Sequence, residues 1–363
     1  MFMQNENYFV QTRDGSLTIK DDETGEYFHN KAGAYTEALT HYASPLVKKL
    51  SLHIPRVLDQ RLTEVVIIDA CYGLGYNTWG FVNTVLKTKL DFLRQARSLH
   101  ENQIRISVFA IEKAYELLTL DAKILIDPLF YPLNTYLTQF EHNTYYRTFL
   151  EDNISQHADD SSNCRTSFIK EIPNSSCVEN SDLNRTFIYN NLPGITIELH
   201  FMVGDLRSVI QTIDAPIDAI FHDPFSPQCL PELWTLTLFH CYFNLLKSRF
   251  GGLYTYSSAA SVRGAMQRVG FQIFKTSGLG KKSGGTVGRI PGTLLASDDL
   301  NRFNLTPLSE AERKYIQSKA GLPYEDNACL NASREIIIAN RKAAQASSNR
   351  PSGKQYRSAL NGC

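Results

Sequence analysis

Three features of the sequence predict an α/β fold built on a doubly wound, mostly parallel sheet. Short apolar runs alternate with stretches of helical period. Four of those runs lead into an acid, Asp69, Glu112, Asp205 and Asp223. The first run, Val65-Val-Ile-Ile-Asp69, is apolar up to its acid and passes through a turn holding Gly73 and Gly75 into a helix. A strand apolar on both faces fits a parallel sheet covered by helices on either side. Acids and glycines after the carboxyl ends of such strands put a ligand site there.

Taken in order, residues 1–50 form an N-terminal extension. Phe9–Arg13, Ser16–Lys20 and Glu26–His29 are short strands around the turns Asp14-Gly15 and Thr24-Gly25. Gly33–Leu50 reads as a helix with Ala34, Ala38, Tyr42 and Leu46 on one face. The extension precedes the first strand and is expected to close over a ligand. The main domain spans 51–340. Its first strand is 64–70 and its helix runs from about 77 to 99. Ile104–Ile111 is the second strand, ending at Glu112, and a helix begins within 115–123. An insertion at 125–190 follows; Glu151–Thr186 is rich in Ser, Asn and Asp, and is expected to be mobile because it buries too little to offset its ordering entropy.

The pattern then resumes. Ile195–Val203 is the third strand and Leu206–Ile213 a short helix. Ile217–His222 is the fourth strand, ending in Asp223-Pro224, and Pro231–Lys247 is a helix. Gly251–Tyr256 is the fifth strand, Ser261–Val269 a helix stopped by Gly270, and Phe271–Lys275 the sixth strand. Gly278–Gly285 is a basic glycine-rich loop. Ser309–Ala320 and Arg334–Ala346 have helical character, and 341–363, polar over its last ~17 residues, is assigned to a disordered tail.

Composition narrows the function. Lys+Arg and Asp+Glu are 37 each in 363 residues, so nucleic acid would have to meet a local patch. Cysteines stand at 71, 164, 177, 229, 241, 329 and 363 with no CxxC pair, which suggests neither a zinc ribbon nor a disulfide framework and fits a reducing compartment. No apolar run approaches the ~18–20 residues that span a bilayer, and the first residues do not read as a signal peptide. A cytoplasmic protein is expected, without membrane or metal.

The strand-end acids favour a cationic cofactor such as S-adenosylmethionine over a dinucleotide. No Walker lysine follows the first strand, and Cys71 takes the first position of what would be Gly-x-Gly-x-x-Gly. Glu112 comes 39 residues after Gly73, further than the ~20 of a classical dinucleotide fold. A carboxylate there suits two ribose hydroxyls, or is simply a solvated strand end. Asp205 suits an adenine amine and equally reads as the N-cap of the helix at 206. Asp69 either meets the ligand or caps the turn. His29 is a candidate to line the site. His222 and the cysteines read as structural.

Asp218-Ala-Ile-Phe-His-Asp-Pro-Phe-Ser-Pro-Gln-Cys-Leu-Pro-Glu-Leu-Trp234 resembles the methyltransferase family of the bifunctional tRNA 5-methylaminomethyl-2-thiouridine biosynthesis protein (MnmC-like). That family reads Asp-Ala-x-Phe-x-Asp-x-Phe-x-Pro followed by Pro-Glu-x-Trp. The resemblance extends to Gly251–Tyr256, Val262-Arg263, Gly270-Phe271, Gly278–Lys282 and, upstream, Asp14–Thr18, Glu26–His29, Gly33-Ala34 and Glu37-Ala38. It implies a Rossmann-like S-adenosylmethionine-dependent methyltransferase in stand-alone form, without an FAD-binding oxidase domain. The implied acceptor is the amine of 5-aminomethyl-(2-thio)uridine at the tRNA wobble position. By resemblance, Asp69, Tyr72, Gly73, Gly75 and Asn77 form the cofactor loop and hold the methionine part. Glu112 takes the ribose, Asp205 with Leu206 the adenine, and Asp223 faces the transferred methyl. Phe225 either walls the pocket or stacks on the base, or only packs the strand end. Lys281 and Lys282, standing where the family has Lys-Arg, meet RNA phosphate or are merely solvated. Other readings are a methyltransferase of a small amine and a non-catalytic RNA- or protein-binding descendant.

Overall fold

The computed structural model describes residues 9–51, 62–95, 103–114, 117, 185–192, 194–249, 251–278, 284–292, 300, 304–354 and 356. Its centre is β3 (Leu62–Ala70), and the alternation of this strand explains the layers. Val65 and Ile67 face one core cluster, while Val66, Ile68 and Ala70 face another on the opposite side. β7 (Ala219–His222) divides the same way, with Ala219 and Phe221 on the first side and Ile220 on the second. A sheet buried on both faces needs apolar residues at every position, which is why these strands read as unbroken apolar runs.

The hairpin β1 (Phe9–Gln11) and β2 (Leu17–Ile19) forms its own two-stranded sheet. The third expected strand of the extension is reduced to one bridge, Lys20 to Tyr27. A continuous helical stretch follows: α1 (Ala34–Ala38), a π-helical turn (Leu39–Ala43) and α2 (Ser44–Ser51). After β3 come α3 (Tyr76–Gln95), β4 (Gln103–Glu112), β5 (Arg185–Leu192), β6 (Ile195–Val203) and the single turn α4 (Leu206–Val209). α5 (Leu236–Lys247) follows β7, and then come β8 (Gly252–Thr255), α6 (Ala260–Val269), β9 (Gln272–Lys275), β10 (Thr286–Arg289), β11 (Thr306–Pro307), α7 (Glu310–Gln317) and α8 (Arg334–Ser347).

The sheet order is β11-β9-β10-β8-β7-β3-β4-β6-β5. The pairs β8–β7, β7–β3, β3–β4 and β4–β6 are parallel; β10, β11 and β5 run antiparallel to their neighbours. The chain leaves β3 to one side for β4 and β6 and returns to the other side for β7. That reversal opens a crevice beyond the carboxyl ends of β3 and β7, where such sheets bind ligands.

Several boundaries differ from the sequence expectation. Residues 185–190, assigned to the mobile insertion, lie in β5 and pair with β6; the rest of that insertion, 125–184, lies outside the described residues. Residues 341–347, assigned to the tail, are helical, and the Pro351 carbonyl accepts the Lys319 amide at 2.9 Å. The helix expected from Pro231 is a 3₁₀ turn (Pro231–Trp234), then extended Thr235, which caps α5 by accepting the Leu238 amide. Gly270 ends α6 in the left-handed conformation at φ 117°, as its sequence position requires.

Candidate active site

The turn after β3 sets the site. Cys71 adopts φ 64°, a left-handed conformation that costs a non-glycine residue about 1–2 kcal/mol. Its side chain packs against the cluster of Val66, Ile68 and Ala70, so the Cβ is accommodated on that side of the turn. Gly73 is left-handed as well, and a Cβ there would stand 3.3 Å from the Phe28 ring. The Gly73 amide donates to Glu112 Oε2 at 2.9 Å. The amides of Lys113 and Ala114 donate to Glu112 Oε1 at 2.8 and 3.0 Å. Glu112 is thereby locked at the end of β4 beside the loop, its carboxyl pushed up by burial against the pull of those three amides.

Asp69 is fully buried. Its Oδ2 accepts the Thr78 hydroxyl at 2.6 Å, whereas Oδ1 has no hydrogen-bond partner. Burial raises this carboxyl to about 7. Asn77, at the start of α3, donates Nδ2 to Asp223 Oδ2 at 2.8 Å and leaves a buried Oδ1 unpartnered. The other Asp223 oxygen, Oδ1, accepts the Tyr42 hydroxyl at 2.7 Å, and that hydroxyl accepts the Tyr256 amide at 3.2 Å. Burial, with the negative charge of Glu37 in second place, pushes Asp223 well above the usual carboxylate range. Asp69, Asn77, Glu112 and Asp223 thus converge around one turn.

The remaining expected site residues divide. Tyr72 and Leu206 are buried in the core, Tyr72 edge-on to Phe201 at 5.6 Å, so they back the site. Gly75 is left-handed and accepts the Trp79 amide at the start of α3. Asp205 caps α4: its Oδ1 accepts the Arg207 amide at 2.9 Å, the local role its sequence allowed. His29 is buried edge-on to Tyr76 at 5.2 Å, its Nε2 unpartnered, and burial lowers its pKa to about 4. Phe225 is half-buried; its ring meets Phe28 edge-on at 5.1 Å and its carbonyl accepts Trp234 Nε1 at 2.8 Å. Lys281 and Lys282 lie outside the described residues.

Two residues of the N-terminal extension had no such role in the sequence. Tyr42 repeats with Ala38 and Leu46 at helical spacing and looks like core; only the fold shows its hydroxyl reaching Asp223. Glu26 accepts the Ser226 amide at 2.9 Å and the Ser226 hydroxyl at 2.6 Å, tying the hairpin to the loop after β7. The extension is therefore a wall of the site.

Comparison with known proteins identifies the chemistry. A family model described as an S-adenosyl-L-methionine-dependent methyltransferase matches residues 182–291, which hold β6, β7 and the Asp223 loop. The chain is an S-adenosylmethionine-dependent methyltransferase. This methyltransferase is 26% identical over 341 residues to an uncharacterized protein of Methanocaldococcus jannaschii, covering 94% of this chain and 73% of that one. It is 46% identical over 77 residues to the tRNA 5-methylaminomethyl-2-thiouridine biosynthesis bifunctional protein MnmC of Nitrosospira multiformis, a stretch covering 21% of this chain and 12% of that protein. The crystal structure of MNMC2 from Aquifex aeolicus superposes with a TM-score of 0.57 at 21% identity, over 95% of this chain and 87% of that one, and shows the same fold. The methyltransferase is thus related to the methyltransferase part of MnmC.

The residues fit the cofactor. Asp69 Oδ1 and Asn77 Oδ1 are buried acceptors lacking a donor, and an ammonium supplies donors. Three strand-end carboxyls with raised proton affinity, Asp69 buried and Glu112 and Asp223 half-buried, also suit a ligand carrying positive charge. Among the described residues, no group of three or more His, Cys, Asp or Glu could hold a metal ion, and no helix is long and apolar enough to cross a membrane.

Proposed function

We propose that this methyltransferase acts in the cytoplasm on the primary amine of 5-aminomethyl-(2-thio)uridine at the tRNA wobble position. The observation that carries this reading is Asp223, a half-buried carboxyl at the crevice held on both oxygens by Tyr42 and Asn77. S-adenosylmethionine supplies an electrophilic sulfonium methyl group when bound. In this reading Asp69, Asn77 and the Gly73–Gly75 turn hold its methionine part, Glu112 its ribose, and Asp205 with Leu206 its adenine.

An alkylammonium must lose a proton before its nitrogen carries a free pair. A carboxylate offers about four lone-pair positions. Tyr42 and Asn77 occupy one on each oxygen, which leaves positions to accept amine hydrogens. Burial raises the proton affinity of Asp223 and makes it a better acceptor than an exposed carboxylate. The two clamps also fix the direction in which the amine is held, and alignment of nitrogen with methyl and sulfur lowers the barrier further. Phe225, braced by Phe28, supplies an aromatic face for a splayed base. His29 adds a neutral buried wall. Lys281 and Lys282 meet RNA phosphate. The naming of the MnmC relatives supports the choice of acceptor.

The test is methyl transfer onto tRNA carrying aminomethyluridine. Asp223→Asn keeps the size and loses the proton acceptor, so its rate falls by about 10²–10⁴-fold while S-adenosylmethionine still binds. If the native protein methylates free small amines and leaves that tRNA untouched, the acceptor assigned here is wrong.

A further inference from the structure

Positive charge is concentrated at one end of a chain that has no net charge. Residues 336–363 hold five of the 37 basic side chains and none of the 37 acidic ones, so the rest of the protein is negative by five. Four of the five, Arg341, Lys342, Arg350 and Lys354, lie in the described residues. Arg341 pins α8 in place: its Nε and Nη2 donate to the carbonyls of Leu322 and Ala320 at 2.8 and 3.1 Å, and its guanidinium lies 4.5 Å over the Tyr324 ring. Beyond the helix the chain turns back onto α7. Pro351 bonds the Lys319 amide, Gly353 lies against Tyr315, Ser318 and Ala320, and Tyr356 comes within electrostatic range of Lys314. Pro351, Gly353 and Tyr356 therefore lie successively along α7 from its carboxyl end.

The acids of α7 do not neutralise this ridge. Glu310 is paired with Lys314 at 2.6 Å, and Glu312 with Arg263 at 3.0 Å and Lys275 at 2.8 Å. Among the described residues Lys319, Lys342, Arg350 and Lys354 enter no ion pair, and the last three are exposed. The ridge also leads toward the site. Glu312, in the first turn of α7, grips Lys275 at the end of β9. The next residue, Thr276, bonds His41 Nδ1 at 2.7 Å in the π-helical turn that carries Tyr42.

We propose that Lys319, Lys342, Arg350 and Lys354 form a docking ridge for the sugar-phosphate backbone of the substrate RNA, away from the reacting nucleotide. The proposal rests on RNA being the substrate. Cations spread along an open surface suit a polyphosphate chain rather than one small anion. Between Ser347 and Lys354 there is no aliphatic or aromatic side chain apart from Pro351, so nothing there is built to enter a lipid layer.

The experiment uses the full chain and fluorescently labelled tRNA, with binding read by anisotropy across salt concentrations. A triple variant, Lys342→Ser with Arg350→Ser and Lys354→Ser, is compared with the native protein. Its affinity at 0.1 M salt is expected to fall about tenfold, and its slope of log K against log[salt] to flatten by about 2. S-adenosylmethionine affinity and the single-turnover rate at saturating tRNA stay unchanged, which also reports an intact fold. Replacing Lys342 and Lys354 by arginine while keeping Arg350 keeps the native slope. Equal affinity and slope in the triple variant overturn the ridge, as does native protein that binds anionic phospholipid vesicles and not tRNA. The two readings fail separately. Native protein that binds tRNA through these residues but leaves aminomethyluridine unmethylated sinks the acceptor assignment alone. Methylation with an unchanged KM for tRNA in the triple variant sinks the ridge alone.

Discussion

Cys71 shows how one side chain balances opposing terms. Its left-handed φ of 64° costs about 1–2 kcal/mol, which glycine would avoid. Glycine would in turn add about 0.5–1 kcal/mol of unfolded-chain entropy and lose roughly 1 kcal/mol of thiol packing against the cluster of Val66 and Ile68. The terms nearly cancel, so Cys71→Gly should change stability by less than about 1 kcal/mol in urea unfolding. A loss above about 2 kcal/mol would show that thiol packing dominates. The position of Cys71 was legible from its place after an apolar strand. Its left-handed backbone was not, because nothing local to Ala70-Cys-Tyr-Gly73 marks it.

The π-helical turn Leu39–Ala43 joins two parts of the site. It points His41 at Thr276 and Tyr42 at Asp223, and such turns are frequent at functional sites. Tyr42→Phe removes a donor from Asp223 and an acceptor from the half-buried Tyr256 amide. Leaving these groups unsatisfied should cost about 1–3 kcal/mol of stability in urea unfolding. Without that donor the Asp223 anion is less favoured, so its proton affinity rises further. The acidic limb of the pH–rate profile should then move to higher pH; a limb that does not move would show that Tyr42 leaves Asp223 untouched. Helix and strand periods exposed the elements that bury one stripe or both faces, such as α6 and β3. They missed β5 and β10 for physical reasons. β5 is flanked by a polar stretch, and its pairing with β6 is a tertiary contact. Thr-Val-Gly-Arg of β10 has one aliphatic residue and is buried because β8 and β9 flank it, with Gly288 admitting Met266 and Phe271. The bond between Tyr42 and Asp223, 181 residues apart, lies beyond any local pattern.

The parallel sheet gathers its carboxyls at one edge, and this makes the protein's stability and its ligand affinity depend on pH in opposite senses. Asp69, Glu112 and Asp223 all have raised proton affinity in the free fold, Asp69 from 3.8 to about 7. A raised carboxyl favours the folded state while it is protonated. For Asp69 that contribution is complete below pH 3.8 and is lost as pH rises through about 7. A cation bound among the three favours their ionised forms and brings their pKa values back down. Binding of S-adenosylmethionine near pH 6–7 must therefore release protons, and its affinity should rise with pH across that window. Calorimetric titration in phosphate and in Tris measures the release, since the apparent enthalpies differ by the protons released times the difference in buffer ionisation enthalpy. S-adenosylhomocysteine, which lacks the sulfonium charge, should release fewer. Equal enthalpies in both buffers for both ligands would mean that the strand-end acids are already ionised in the free protein, and that burial raises them less than their surroundings imply.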